Sequence, residues 1–161
     1  MEKFVTVLNT QWGYMKATWT DLGLWELDFP EKDKPEIGEA SVDSRIAAWS
    51  EELCKELNQY WKGFFVEFGV PVDWRGYTPF QASVLQYTAG IAYGEKTTYG
   101  AIAQALGRPK AARAVGGSLH INRTPIVVPC HRVVGASGSL TGFAGGLDMK
   151  KALLLLESNP E

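Results

Sequence analysis

The stretch Pro129-Cys130-His131-Arg132-Val133 places a nucleophile, a base and a cation side by side. A thiol attacks an electrophile only as its thiolate, so a reactive cysteine needs a neighbouring base or a positive field. The preceding apolar run, Pro125-Ile126-Val127-Val128-Pro129, reads as a buried strand that delivers Cys130 to an interior site at its end. Neighbours on a strand point to opposite faces, so the pair alone fits equally a core thiol beside a surface imidazole. The other cysteine, Cys54, falls near the apolar stripe of a helical segment and reads as an inert, buried thiol. His120 is given no role beyond surface packing. Two widely spaced cysteines make no disulfide framework, and no Cys-x-x-Cys or His-x-x-x-His spacing supports a metal; neither metal nor cofactor is expected.

The elements that must position Cys130 can be read from turn and cap signals. Phe4–Thr10, 14–20 and 24–29 are rich in β-branched and aromatic residues, separated by Gln11-Trp12-Gly13 and Asp21-Leu22-Gly23, which predicts an antiparallel meander. A polar loop over 30–40 leads to a helix over 42–61, where Ile46, Trp49, Leu53, Leu57, Tyr60 and Trp61 recur at helical spacing. Residues 64–68 read as a further strand, and the proline- and glycine-bearing segment 70–79 as a boundary between domains 1–76 and 77–161. The second half reads helical: 80–92, then 97–106 capped by Thr97 or Thr98, then 110–119 after the break Gly107-Arg108-Pro109, and last 148–157. Two short helices joined by a glycine-containing turn suggest a helix-turn-helix, although helical hairpins that merely pack share this pattern. The fold class expected is α+β: a small N-terminal sheet-plus-helix domain, then a mostly helical domain with a helix-turn-helix (winged-helix-like) unit.

Composition sets the class of partner. With 45% apolar and 21% charged residues in 161, the chain has the balance of a soluble globular protein. No run reaches the roughly 18 apolar residues of a membrane helix. Met1-Glu2-Lys3-Phe4 lacks a secretory pattern, so an intracellular protein is expected. The net charge of −2 conceals an asymmetry: no Asp or Glu occurs from Lys96 to Leu147, where Lys96, Arg108, Lys110, Arg113, Arg123 and Arg132 fall. Such a stretch fits a phosphate-attracting surface and, equally, ordinary solvated cations.

Several motifs in register carry a resemblance. Tyr99-Gly100, Arg113-Ala114-Val115-Gly116-Gly117, Asn122, the run from Ile126 through Pro129-Cys130-His131-Arg132-Val133-Val134, Gly138-Ser139-Leu140-Thr141-Gly142 and Gly145-Gly146-Leu147 together resemble the 6-O-alkylguanine–DNA alkyltransferase family over about 78–157. The first half matches in general plan.

The resemblance implies repair of DNA by direct reversal: 6-O-alkylguanine, mainly 6-O-methylguanine, is flipped from the duplex and its alkyl group passes irreversibly to Cys130. It implies His131 as base through a bridging water, Glu157 as the carboxylate orienting it, Tyr99 as proton donor to a guanine ring nitrogen, and Asn122 as hinge. It implies minor-groove binding by a helix whose Arg113 fills the vacated stack, with Ala112, Ala114 and Gly117 small for close approach and Gly100, Arg108 and Gln81 near the DNA backbone. Val133, Ser137, Phe143, Ala144 and Gly145 would wall the base pocket; Phe143 and Ala144 stand where the family often has tyrosine and sometimes serine. The partner implied is double-stranded DNA bound by a monomer, in the cytoplasm or nucleoid of a prokaryote or the nucleus of a eukaryote. Two other classes share parts of this pattern. Alkyltransferase-like proteins hold the lesion without transfer, but usually carry tryptophan in place of the cysteine. A Cys-His hydrolase needs an oxyanion hole, and no residues suggest one.

Overall fold

The computed structural model describes residues 1–38, 41–136, 138 and 146–158, in two compact units that divide after Trp74. In the first, β1 (Phe4–Thr10), β2 (Gly13–Thr20) and β3 (Gly23–Leu27) form an antiparallel meander with Phe4 opposite Trp19 and Thr10 opposite Gly13. Alternation puts Met15, Ala17 and Trp19 of β2 on the buried face. Gly23 starts β3 at φ 139°, and a Cβ there would lie 2.3 Å from the Pro71 carbonyl oxygen, so the turn and the close approach both require glycine.

Helix α1 (Ser44–Trp61) starts at Asp43, whose carboxylate accepts from the Ile46 N–H at 2.8 Å, and packs Ile46, Leu53 and Leu57 into the core beside the sheet. Cys54 is half-buried, its thiol directed at the Asn9 carbonyl, and burial raises its pKa above the ordinary value.

The expected strand over 64–68 does not form. The outer edge of β3 is taken by residues 71–73: Leu24 donates to the Pro71 carbonyl and accepts from the Asp73 N–H, both at 2.8 Å. With that edge paired, 64–68 is irregular and its Phe64 and Phe65 are exposed.

The second unit begins at Arg75. Helix α2 (Pro79–Ala89) opens on a capping box, in which Thr78 accepts from the Gln81 N–H and the Gln81 side chain accepts from the Thr78 N–H. Helix α3 (Tyr99–Ala105) is capped by Thr98, and α4 (Ala112–His120) packs against both α2 and α3. Gly107 at φ 74° makes the break between α3 and α4. Two short parallel strands, β4 (Thr97–Thr98) and β5 (Val133–Val134), join the start of α3 to the segment after Cys130. Helix α5 (Leu147–Ser158) completes the unit. The class is α+β, as the sequence predicts.

Candidate active site

Cys130 does not end a strand. Prolines at 125 and 129 remove two backbone donors from the run, and Ile126 takes φ 76°, a strained value for a β-branched residue. The chain therefore coils. Val128 N–H bonds back to the Thr124 carbonyl at 2.9 Å, and Cys130 N–H to the Val128 carbonyl at 2.8 Å. With Pro129 at φ −81°, ψ 65° the latter is an inverse γ-turn, which delivers Cys130 as the first residue of a 3₁₀ turn, Cys130–Arg132. The strand expected over 125–129 is thus corrected to a loop and tight turn.

Asn122, buried after the end of α4, organises this turn. Its amide nitrogen donates to the Val128 carbonyl at 3.0 Å, and its oxygen accepts from the Thr124 N–H at 3.0 Å in an Asx-turn. The same side chain favours the thiolate form of Cys130. Burial pushes the thiol above its ordinary value, while Asn122, the Lys150 ammonium and the backbone N–H groups of Cys130 and His131 pull it back.

His131 and Glu157 are brought together by the 3₁₀ turn and α5. His131 Nε2 lies 2.5 Å from Glu157 Oε2, and both side chains are almost wholly buried. Glu157 also receives Arg132, Nε at 2.8 Å on Oε1 and one terminal nitrogen at 3.0 Å on Oε2, and the Gly94 N–H at 3.2 Å. This two-pronged contact holds the carboxylate in one plane. Arg132 is anchored in turn on the Ile91 carbonyl at 2.7 Å and over the Tyr93 ring.

Burial pushes the His131 pKa below its ordinary value, with Arg132 and Lys150 adding to the effect and Glu157 opposing it. A neutral imidazole donating from Nε2 to Glu157 carries its lone pair on Nδ1, so the pair can accept a proton there.

Tyr99 is the first residue of α3, half-buried, with Gly116 of α4 facing its ring. The pairing of Thr97–Thr98 with Val133–Val134 ties Tyr99 to the segment leaving Cys130. Val133 is buried and its carbonyl accepts from the Lys150 ammonium at 2.8 Å.

On α4, Val115, Ser118 and Leu119 face inward while Arg113, Ala114 and Gly117 are exposed and Ala112 is half-buried. Gly100 and Arg108 are exposed nearby in sequence, and a Cβ at Gly100 or Gly117 would meet only open space. Gln81 spends its side-chain oxygen in the α2 cap. Ser137, Phe143, Ala144 and Gly145 lie outside the described residues.

The six cations of the acid-free stretch sort into two groups. Arg123 lies 4.0 Å from the centre of the Tyr77 ring and donates to the Arg75 carbonyl, and Arg132 serves Glu157. Lys96, Arg108, Lys110 and Arg113 face solvent.

Sequence reasoning gave no place to Lys150 and no specific task to Arg132. The signal for Lys150 was its spacing: Lys150, Leu153 and Glu157 follow at i, i+3 and i+7, so two charges share the buried face of α5. Among the described residues no group of three or more His, Cys, Asp or Glu is placed to hold a metal ion, and no helix is long and apolar enough to cross a membrane.

Fold and site define an α+β protein with a helix-turn-helix unit behind a buried cysteine and a His–Glu–Arg cluster. The family model described as 6-O-methylguanine DNA methyltransferase, DNA binding domain, matches residues 79–159. The methylated-DNA–protein-cysteine methyltransferase of Mycobacterium bovis is 51% identical over 104 residues, 65% of this chain and 62% of that protein, so the match spans less than two thirds of the relative. The Methanosarcina barkeri protein of the same name is 36% identical over 157 residues, 97% of this chain and 98% of its own length. The crystal structure of Mycobacterium tuberculosis OGT in complex with DNA is similar with a TM-score of 0.77 at 35% identity, covering 94% of this chain and 91% of that one. The chain belongs to the 6-O-methylguanine DNA methyltransferase family.

Proposed function

We propose that this protein repairs DNA by taking the alkyl group of 6-O-alkylguanine, chiefly methyl, onto Cys130 in a single irreversible turnover. The observation that carries the reading is the buried thiol followed directly by a histidine whose far nitrogen is held by a buried carboxylate. Neutral His131 takes the thiol proton at Nδ1, directly or through one water, while Glu157 steadies the imidazolium that forms. The Sγ lone pair then forms the S–C bond, the C–O6 bond breaks, and its electron pair stays on guanine O6. Tyr99 gives a proton to a guanine ring nitrogen as that charge gathers, and the proton released by the thiol balances it. A thioether carries no leaving group that water can displace, so the thiol is not regenerated and the protein is consumed.

The target base is stacked in the duplex and must be extruded to reach a buried thiol. Arg113, exposed on α4 among small residues, fills the vacated stack from the minor groove, where Ala112, Ala114 and Gly117 allow close approach. Arg108 and the backbone at Gly100 hold phosphates; Gln81 contributes less, its side chain serving the α2 cap. Val133, Ser137, Phe143, Ala144 and Gly145 wall the base. The partner is double-stranded DNA and the acting species a monomer. Residues 77–161 bind and transfer, and 1–76 scaffold them.

A duplex bearing 6-O-methylguanine, supplied in several-fold excess, tests this. Repair should stop after one lesion per protein molecule. Continued turnover would overturn the single-use reading, and tight lesion binding with no repair would assign the protein to the class that binds without transfer.

A further inference from the structure

We propose that Lys150, held as an ammonium against the Val133 carbonyl, is the electrostatic partner of the Cys130 thiolate and favours its formation. The inference deepens the alkyl-acceptor reading and rests on it.

A lysine 1% exposed is rare unless its charge is used. Lys150 reaches the core from α5, donates to the Val133 carbonyl at 2.8 Å, and lies 6.0 Å from the centre of the Tyr99 ring. Val133 follows the Cys130–Arg132 turn, so this hydrogen bond fixes the ammonium beside the segment that carries the thiol. Burial disfavours the charge on Lys150, and the negative charge that favours it is that of Cys130. The effect is mutual, since Lys150 opposes the burial that keeps Cys130 protonated.

Among the described residues, the charged and titratable groups around this pair come from three elements. The 3₁₀ turn brings Cys130, His131 and Arg132, α3 brings Tyr99, and α5 itself brings Glu157. Glu157 is bound by Arg132 and His131. With His131 neutral, Glu157 and Arg132 cancel, and ionisation of Cys130 places its charge opposite Lys150. When His131 takes the thiol proton no bond forms to Lys150; it remains an ammonium while Sγ carries the negative charge. One face of α5 thus supplies an anion for the base and a cation for the nucleophile.

The test uses the full chain with Cys54→Ser, so that Cys130 is its remaining thiol, and follows thiolate ultraviolet absorbance against pH without DNA. Lys150→Gln keeps a donor for Val133 and removes the charge, whereas Lys150→Arg keeps the charge. The Gln variant should ionise about one pH unit higher and transfer methyl about tenfold more slowly at neutral pH, with Arg recovering most of the loss. A folded Gln variant with the parent's ionisation midpoint overturns the proposal. If that variant does not fold, the parent protein decides through the Lys150 ammonium resonance, whose pKa must fall once Cys130 is methylated. An unchanged value overturns the proposal. Failure of the parent to accept methyl would instead strike the alkyl-acceptor reading, since the titration needs no substrate.

Discussion

At the scale of single residues, Glu157 gathers donors from His131, Arg132 and Gly94 onto one carboxylate. Glu157→Gln leaves the Arg132 guanidinium buried without its counter-charge. Breaking one side of such a pair costs on the order of 3–5 kcal/mol, so the variant should melt well below the parent by calorimetry. It should also slow methyl transfer by about a hundredfold, the usual scale for losing an oriented base.

His131 carries a pH signature. Its folded pKa lies below the ordinary 6.5, so the unfolded chain takes up the proton first as pH falls. Stability should therefore decline below about pH 6.5 until the folded pKa is passed. Transfer should stay level from mild alkali down through neutrality and decline only below 6.5, because the base remains neutral until then. A stopped-time transfer assay across pH measures both the plateau and the limb.

At the scale of elements, the turn around Asn122 converts the end of α4 into the placement of a thiol. Asn122→Ala would leave the Thr124 N–H without its partner in a buried place and take one of two donors from the Val128 carbonyl, a loss of about 2 kcal/mol in chemical denaturation. Transfer should slow as well, because the same side chain sets the turn that carries the thiol.

The helix boundaries of this region were largely legible: Thr78-Pro79, Thr98 and Gly107 mark starts and a stop that the structure uses. The run 125–129 misleads because apolar composition alone cannot tell a strand from a buried turn. Its two prolines and the left-handed Ile126 decide for the turn. Residues 64–68 carry strand-like side chains, yet pairing depends on a free edge, and that edge belongs to residues 71–73. Glu157 was legible through the resemblance alone and Lys150 not at all, because a helix stripe is recognised by its leucines, and a charge on that stripe takes meaning only from what it meets across the core.

At the scale of the molecule, the net charge of −2 says little, because the acids gather in the first half and exposed cations remain in the second. Neutralising Arg108, Lys110 and Arg113 together should flatten the salt dependence of duplex binding by roughly one unit of slope for each phosphate left without a cation, while Cys130 keeps its pH titration. Incubation with a duplex containing 6-O-methylguanine, followed by intact mass and peptide mapping, should give a single added methyl on Cys130 in step with guanine restored, and none with Cys130→Ser. An unchanged mass beside restored guanine, or a methyl found on another residue, would contradict the account.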